Sequence, residues 1–269
     1  MTTAPALRTV TVGRRTLRVA VRSGDGSLPP LLLMNGIGAS LEVLQPFVDA
    51  LDPRREVIRF DVPGVGGSPR PVVPYTMATF APVVAGLLTQ LGRPGAVDVL
   101  GFSWGGGLAQ QFAVQHRRRC RRLVLAAPGT GSLMVPAHPR VLSKMLTPRR
   151  HRDPGYARAI AGVIYGGTMR EHPERAAAAL HAHTRIGPRR GYYYQLAAGT
   201  GWSSLPALPL IRQPTLVLAG DDDPIIPSVN ARMMARLIPN AELHLYDGGH
   251  LALVTEAPEM ARVVERFLD

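Results

Sequence analysis

The sequence predicts an α/β fold: a mostly parallel central sheet flanked by helices, with a helical insertion. Three observations carry this. Short β-rich apolar runs alternate with stretches of helical character, which is how strands and crossover helices follow one another in a parallel sheet. The chain has 269 residues, of which 46% are hydrophobic and 19% charged, enough for one large core and unlike a disordered composition. One interval of more than 80 residues, between the apolar runs ending at Ala126 and opening at Thr215, breaks the alternation.

Taken in order, Arg8–Val21 reads as a hairpin turning at Gly13. Strands are expected at Leu31–Met34, Val57–Asp61, Val97–Gly101, Leu123–Ala126, Thr215–Ala219 and Leu243–Tyr246. Helices are expected to begin after Ser40, Thr79, Ser103, Ser228 and Glu256. The long interval carries Met134, Met145, Tyr156, Tyr165, Tyr192-Tyr193-Tyr194 and Trp202 among polar helical pieces. A structureless loop of that length does not suit a compact domain. Residues 129–213 therefore read as a lid over the sheet, with 1–128 and 214–269 forming the core; the alternative is an extra packing layer with no role at a site.

Net charge is +12, yet Lys144 is the only lysine, and the arginines are scattered in short clusters such as Arg117–Arg119 and Arg149–Arg150. No recognition motif or interleaved aromatics accompany them, so a solvated basic surface is expected rather than nucleic-acid binding. The N-terminal stretch has arginines throughout and no unbroken apolar run, which speaks against a secretory signal. No run approaches the roughly 20 residues of a membrane span. The single cysteine, Cys120, excludes an internal disulfide framework and reads as a structural thiol in a reducing compartment. A soluble cytoplasmic protein is expected.

Gly101-Phe102-Ser103-Trp104-Gly105 is a G-x-S-x-G pattern directly after the apolar run Val97–Leu100 and before a helix-capable stretch. That strand, sharp turn and helix would project the Ser103 hydroxyl at the top of a sheet, whereas a plain helix N-cap is the ordinary alternative. A serine hydroxyl needs a base to take its proton and an acid to orient that base. In this setting the chain order should be serine, acid, histidine. Leu216–Gly220 runs into Asp221-Asp222-Asp223-Pro224, and Leu243–Tyr246 into Asp247-Gly248-Gly249-His250.

Asp223 is preferred as the acid because it precedes Pro224 and stands three residues after Gly220 in G-x-x-D-x-x-x-P; Asp222 and Asp221 remain open. His250 is the base candidate, since the other seven histidines, His183 and His151 among them, lie in charged, helical, loop or alternating surroundings. Backbone donors for an oxyanion are expected at Trp104, after the nucleophile, and at Ile37 in Asn35-Gly36-Ile37-Gly38. No phosphate-cradling G-x-x-x-x-G-K-S/T and no Cys/His cluster with ligand spacing is present, so neither cofactor nor metal is expected.

These stretches, together with Phe60–Ser68, Ala109–Ala113, Met134-Val135-Pro136, Ile164–Gly167 and Gly191-Tyr192-Tyr193, resemble intracellular medium-chain-length polyhydroxyalkanoate depolymerases of the α/β-hydrolase superfamily. The resemblance runs nearly end to end and departs mainly around 149–152 and 181–190. It implies an ester hydrolase acting on poly(3-hydroxyalkanoate), with Ser103, Asp223 and His250 as its triad and a hydrophobic polyester granule or acyl ester as partner. The rival readings are a general carboxylesterase or lipase, a cofactor-free perhydrolase or haloperoxidase, and a non-catalytic binding protein on the same scaffold.

Overall fold

The computed structural model describes residues 6–181 and 185–269; His183 lies outside them. Eight strands form one sheet: β1 (Ala6–Val12), β2 (Arg15–Arg22), β3 (Leu31–Met34), β4 (Val57–Phe60), β5 (Val97–Phe102), β6 (Cys120–Ala126), β7 (Thr215–Gly220) and β8 (Ala241–Tyr246). Their order is β1-β2-β4-β3-β5-β6-β7-β8. β2 pairs antiparallel with β1 and β4, and every pairing from β4 to β8 is parallel. Gly13 turns the first hairpin at φ 57°, a conformation open to glycine at little cost.

Each central strand is buried on both faces, which is why its sequence is a continuous apolar run rather than an alternating one. Alternate residues feed two separate cores. Leu31 and Leu33 join Phe47, Val48 and Val264 on one side, while Leu32 and Met34 join Phe80, Val84 and Phe112 on the other. The first side is covered by α1 (Gln45–Ala50), and the second by α2 (Met77–Gln90) and α3 (Trp104–Gln115). From β3 the chain steps to β4 on one side and then returns to β5 on the other. The loops leaving β3 and β5 thus diverge at a topological switch point, where such sheets leave a crevice for ligands.

Two helix starts differ from expectation. After Ser40 comes a 3-10 turn, Leu41–Leu44, before α1 begins at Gln45. α2 begins at Met77, three residues before the position expected after Thr79. Thr76 is its N-cap, accepting from the Thr79 N–H at 3.1 Å while Thr79 Oγ1 accepts from the Thr76 N–H at 2.9 Å. This reciprocal cap uses threonine where a glutamate is the usual third residue, so it is inconspicuous in sequence.

Between β6 and β7 the chain forms α4 (Pro139–Met145), α5 (Pro154–Tyr165), α6 (Glu174–His181) and α7 (Arg189–Gly199), with a 3-10 turn at Pro148–His151. Val141, Ile160, Ile164 and Leu180 from these elements are contiguous with the core on the α1 side of the sheet. α7 lies against the loop after β4 with no room to spare: a Cβ at Gly191 would stand 1.7 Å from the Gly64 carbonyl oxygen. It is also tied to the switch point by Trp104 Nε1 donating to the Gln195 carbonyl at 2.8 Å and Gly38 N to Gln195 Oε1 at 2.7 Å. After β7 come α8 (Val229–Leu237), the short α9 (Ala252–Thr255), which was not expected, and α10 (Ala257–Leu268).

The arginines are not uniformly solvated. Arg55, Arg59, Arg22 and Arg150 are each at most 5% exposed, contrary to the expectation of a purely surface charge. Arg55 is neutralised by Asp98 and Glu265 behind the sheet. Burial, with a smaller push from Arg22, pulls the Arg59 pKa down to about 10. Cys120 is a buried free thiol, its pKa pushed up by burial, as suits a structural residue. Among the described residues no helix is long and apolar enough to cross a membrane.

Candidate active site

The turn after β5 holds Ser103 at φ 54°, ψ −118°, a region L-residues rarely occupy and one that costs on the order of 1–3 kcal/mol. The two flanking glycines are what allow it. A Cβ at Gly101 would lie 2.4 Å from the Gly105 carbonyl oxygen, and one at Gly105 only 2.1 Å from that of Met34. The G-x-S-x-G pattern is thus a packing requirement: strand, turn and helix converge too closely for side chains on either side of the serine. Ser103 N–H donates to the Ala126 carbonyl at 2.9 Å, which anchors the turn to β6.

Three residues far apart in sequence meet at this turn. His250 Nε2 is 3.0 Å from Ser103 Oγ, and His250 Nδ1 is 2.7 Å from Asp223 Oδ2. All three are nearly buried, at 8%, 4% and 5% exposure for Ser103, His250 and Asp223. Asp223 is itself oriented, because its Oδ1 accepts the Ile225 and Ile226 N–H groups at 2.9 and 3.0 Å. His250 is held from behind by its own N–H, which donates to the Tyr165 carbonyl at 2.7 Å, and its ring lies 5.4 Å from that of Phe102. With Nδ1–H directed at the carboxylate, Nε2 is left as the acceptor for the serine proton.

The neighbouring aspartates are committed elsewhere. Asp222 is gripped by Arg170 through Nε at 2.6 Å and Nη2 at 2.5 Å, and accepts the Gly167 N–H at 2.7 Å. Those Arg170 hydrogen bonds hold its carboxyl below the ordinary value. Asp221 Oδ1 accepts the Gly248 N–H at 3.2 Å, bracing the loop that carries His250. Asp223 alone of the three reaches the histidine.

The loop after β3 passes directly beside the serine, since a Cβ on Gly36 would sit 3.4 Å from Ser103 Cβ. Within it Gly36 N–H is taken by Asn35 Oδ1, Gly38 N–H by Gln195 and Ala39 N–H by the Gly36 carbonyl. Ile37 N–H is left without an acceptor among the described residues. Trp104, as the first residue of α3, has no intrahelical acceptor for its N–H either. These are the two donors expected from sequence, and both flank the serine.

A cavity with about 350 Å³ of empty space, open solvent at its mouth included, lies on Ser103 and His250. Phe102, Val43, Met145 and Ile225 make its wall largely apolar, and Met145 comes from the insertion. Tyr165, expected in the lid, is also on the wall, whereas sequence reasoning missed two others, Arg150 and His151. Arg150 sits in an arginine-rich run that looks solvated, and His151 among charged neighbours. The signal that could have found them is Pro148, which starts a tight turn alternating buried Pro148, exposed Arg149 and buried Arg150. Among the described residues no group of histidine, cysteine and carboxylate side chains could hold a metal ion.

A family model described as the alpha/beta hydrolase fold matches residues 29–257. A poly(3-hydroxyalkanoate) depolymerase from Ectopseudomonas oleovorans is 52% identical over 262 residues, 97% of this chain and 92% of that protein. Among solved structures, a hydrolase from Pseudomonas aeruginosa superposes with a TM-score of 0.80 at 27% identity, covering 97% of this chain and 98% of that one. The enol-lactonase from Burkholderia xenovorans LB400 superposes with a TM-score of 0.79 at 26% identity, covering 97% and 99%.

Proposed function

Because the chain belongs to the alpha/beta hydrolase fold family, we propose that it is a serine ester hydrolase that cleaves poly(3-hydroxyalkanoate) with medium-length side chains. The single observation that carries the chemistry is the buried relay Asp223–His250–Ser103, with contacts of 2.7 and 3.0 Å. Ser103 Oγ attacks the ester carbonyl while His250 Nε2 takes its proton, and Asp223 stabilises the imidazolium that forms. The carbonyl oxygen becomes an oxyanion and is met in this reading by the Ile37 and Trp104 N–H groups, which have no other acceptor among the described residues. His250 returns the proton to the departing hydroxyl of the next unit. Water, activated by the same histidine, then releases the 3-hydroxyacyl group and restores the serine.

The choice of polyester rests on the 52% identical relative, which spans nearly the whole chain, insertion included. The apolar cavity wall suits an alkyl side chain, which would be removed from water on binding. Residues 129–213 act in this reading as a lid, with Met145 and Tyr165 reaching the cavity. The lid also exposes Leu133, Val135, Leu142 and Leu146, each at least 42% accessible. That surface would rest on a storage granule in the cytoplasm.

The test is hydrolysis of amorphous medium-chain polyhydroxyalkanoate granules beside soluble p-nitrophenyl alkanoates. Release of 3-hydroxy acids from granules is expected, and Leu142→Ser with Leu146→Ser should slow that release several-fold while sparing the soluble ester. Turnover of p-nitrophenyl esters with no release from granules would leave a general carboxylesterase and reject the depolymerase.

A further inference from the structure

Arg150 is 2% exposed and has no carboxylate partner among the described residues, although it lines the cavity that holds Ser103. Its neighbour Arg149 behaves as an ordinary surface arginine, pairing with Asp153 and lying over Tyr156. Arg150 instead turns inward. Its Nη1 donates to the Tyr192 hydroxyl at 2.9 Å, and that hydroxyl donates onward to the Met145 carbonyl at 2.5 Å. The guanidinium also interacts with the Tyr165 hydroxyl, a second neutral phenol. Beside it on the same wall are the Tyr165 hydroxyl and the His151 ring, which faces the Ile37 backbone and whose buried Nε2 has no well-aligned hydrogen bond among the described residues.

A phenol is a neutral partner and cannot cancel a guanidinium's charge. Burying an ion without a counter-charge costs several kcal/mol; Arg55 has its carboxylates, and Arg22 and Arg59 spend their guanidinium donors on backbone carbonyls and on Gln45. At Arg150 no counter-charge is present among the described residues. His151 does not supply it: burial and the adjacent Arg150 hold its pKa well below the ordinary histidine value, so it is a neutral imidazole. What remains is a planar fork of N–H donors on the wall of an apolar cavity that also contains the nucleophile. Such a fork matches a carboxylate.

We propose that Arg150, beside Tyr165 and His151, is a carboxylate-binding site within the Ser103 cavity, selecting esters whose alcohol half is a 3-hydroxy acid with a free carboxyl group. The inference rests on the reading of Ser103 as the ester-cleaving serine. In a 3-hydroxyacyl ester, two carbons separate the ester oxygen from the next carboxyl group, so that group stays close to the bond Ser103 attacks, in the cavity that both residues line. An internal unit of a polymer offers only a neutral ester carbonyl there. The last unit of a chain, or the second unit of a dimer, offers the charge that Arg150 lacks. Cleavage adds water across the ester bond and releases that unit as a hydroxy acid, its alcohol proton coming from His250.

The decisive substrates are the dimer 3-hydroxyoctanoyl-3-hydroxyoctanoate and its methyl ester, which differ only in the terminal charge. The wild type should show kcat/KM at least about tenfold higher for the free acid, the scale of one good charge-assisted contact. Arg150→Gln should bring that ratio near one, and Arg150→Lys should keep part of it. The ratio, rather than the rate, is the readout, because Tyr165 also holds His250 and a purely structural arginine would lower both rates together.

Independently of any variant, free 3-hydroxyoctanoate should protect Ser103 of the wild type from a serine-directed phosphonate better than methyl 3-hydroxyoctanoate at equal concentration. Equal turnover of the two dimers by the wild type, or an unchanged ratio in Arg150→Gln, overturns the carboxylate site while leaving the ester hydrolase standing. No turnover of either dimer and no phosphonate labelling removes the hydrolase reading and this one with it.

Discussion

Replacing Ser103 by alanine is expected to lower kcat on p-nitrophenyl alkanoates and on polyester by roughly a million-fold, leaving the fold intact. The serine hydroxyl has no second structural task, since its one hydrogen bond among the described residues is to His250 Nε2. Its backbone carries the strain of the turn, and alanine has the same Cβ that already fits at φ 54°. The variant should therefore keep the thermal midpoint of the wild type within a few degrees. Residual turnover would come from the cavity and the Ile37 and Trp104 N–H donors alone. Rates of the wild type and Ser103→Ala on one soluble ester, with melting curves beside them, check both halves.

The second large effect separates the three aspartates. Asp223→Asn should cost about ten-thousand-fold in kcat, because an amide opposite Nδ1 no longer stabilises the imidazolium and favours the wrong tautomer. The Asn side chain retains a carbonyl oxygen for the Ile225 and Ile226 N–H groups, so the loop should remain in place. Asp222→Asn loses only a half-exposed ion pair to Arg170, worth about 1 kcal/mol or less of stability, and should retain kcat within about threefold. A large loss in Asp222→Asn with little in Asp223→Asn would reverse the assignment.

Most of the sheet and of the candidate site was legible in the sequence for identifiable reasons. Central strands buried on both faces must be apolar throughout, so β3, β5, β6 and β7 stand out as short runs. Gly101 and Gly105 mark the serine turn because no side chain fits at either position. Asp223 was distinguishable from its two neighbours through Pro224 and the spacing from Gly220. Ile37 followed from its place between Gly36 and Gly38.

What sequence did not disclose was set by tertiary contacts. The cap of α2 rests on a Thr76–Thr79 exchange with no acidic marker. Arg150 looks like its exposed neighbours until the turn beginning at Pro148 sends it inward. Gln195, which fixes both Trp104 and Gly38, lies 157 positions from one of them, and no local pattern connects such residues. The basic composition was likewise silent on which arginines are core residues.

In the proposed mechanism the relay from Asp223 through His250 should make the Ser103 hydroxyl far more nucleophilic than any other in the chain, and a covalent label reads this directly. After brief treatment with a fluorophosphonate, peptide mass spectrometry of the wild type should find a single adduct on Ser103, absent from Ser103→Ala and strongly slowed in His250→Gln. An unmodified Ser103 in active enzyme, or labelling of another serine at the wild-type rate in Ser103→Ala, would contradict the account.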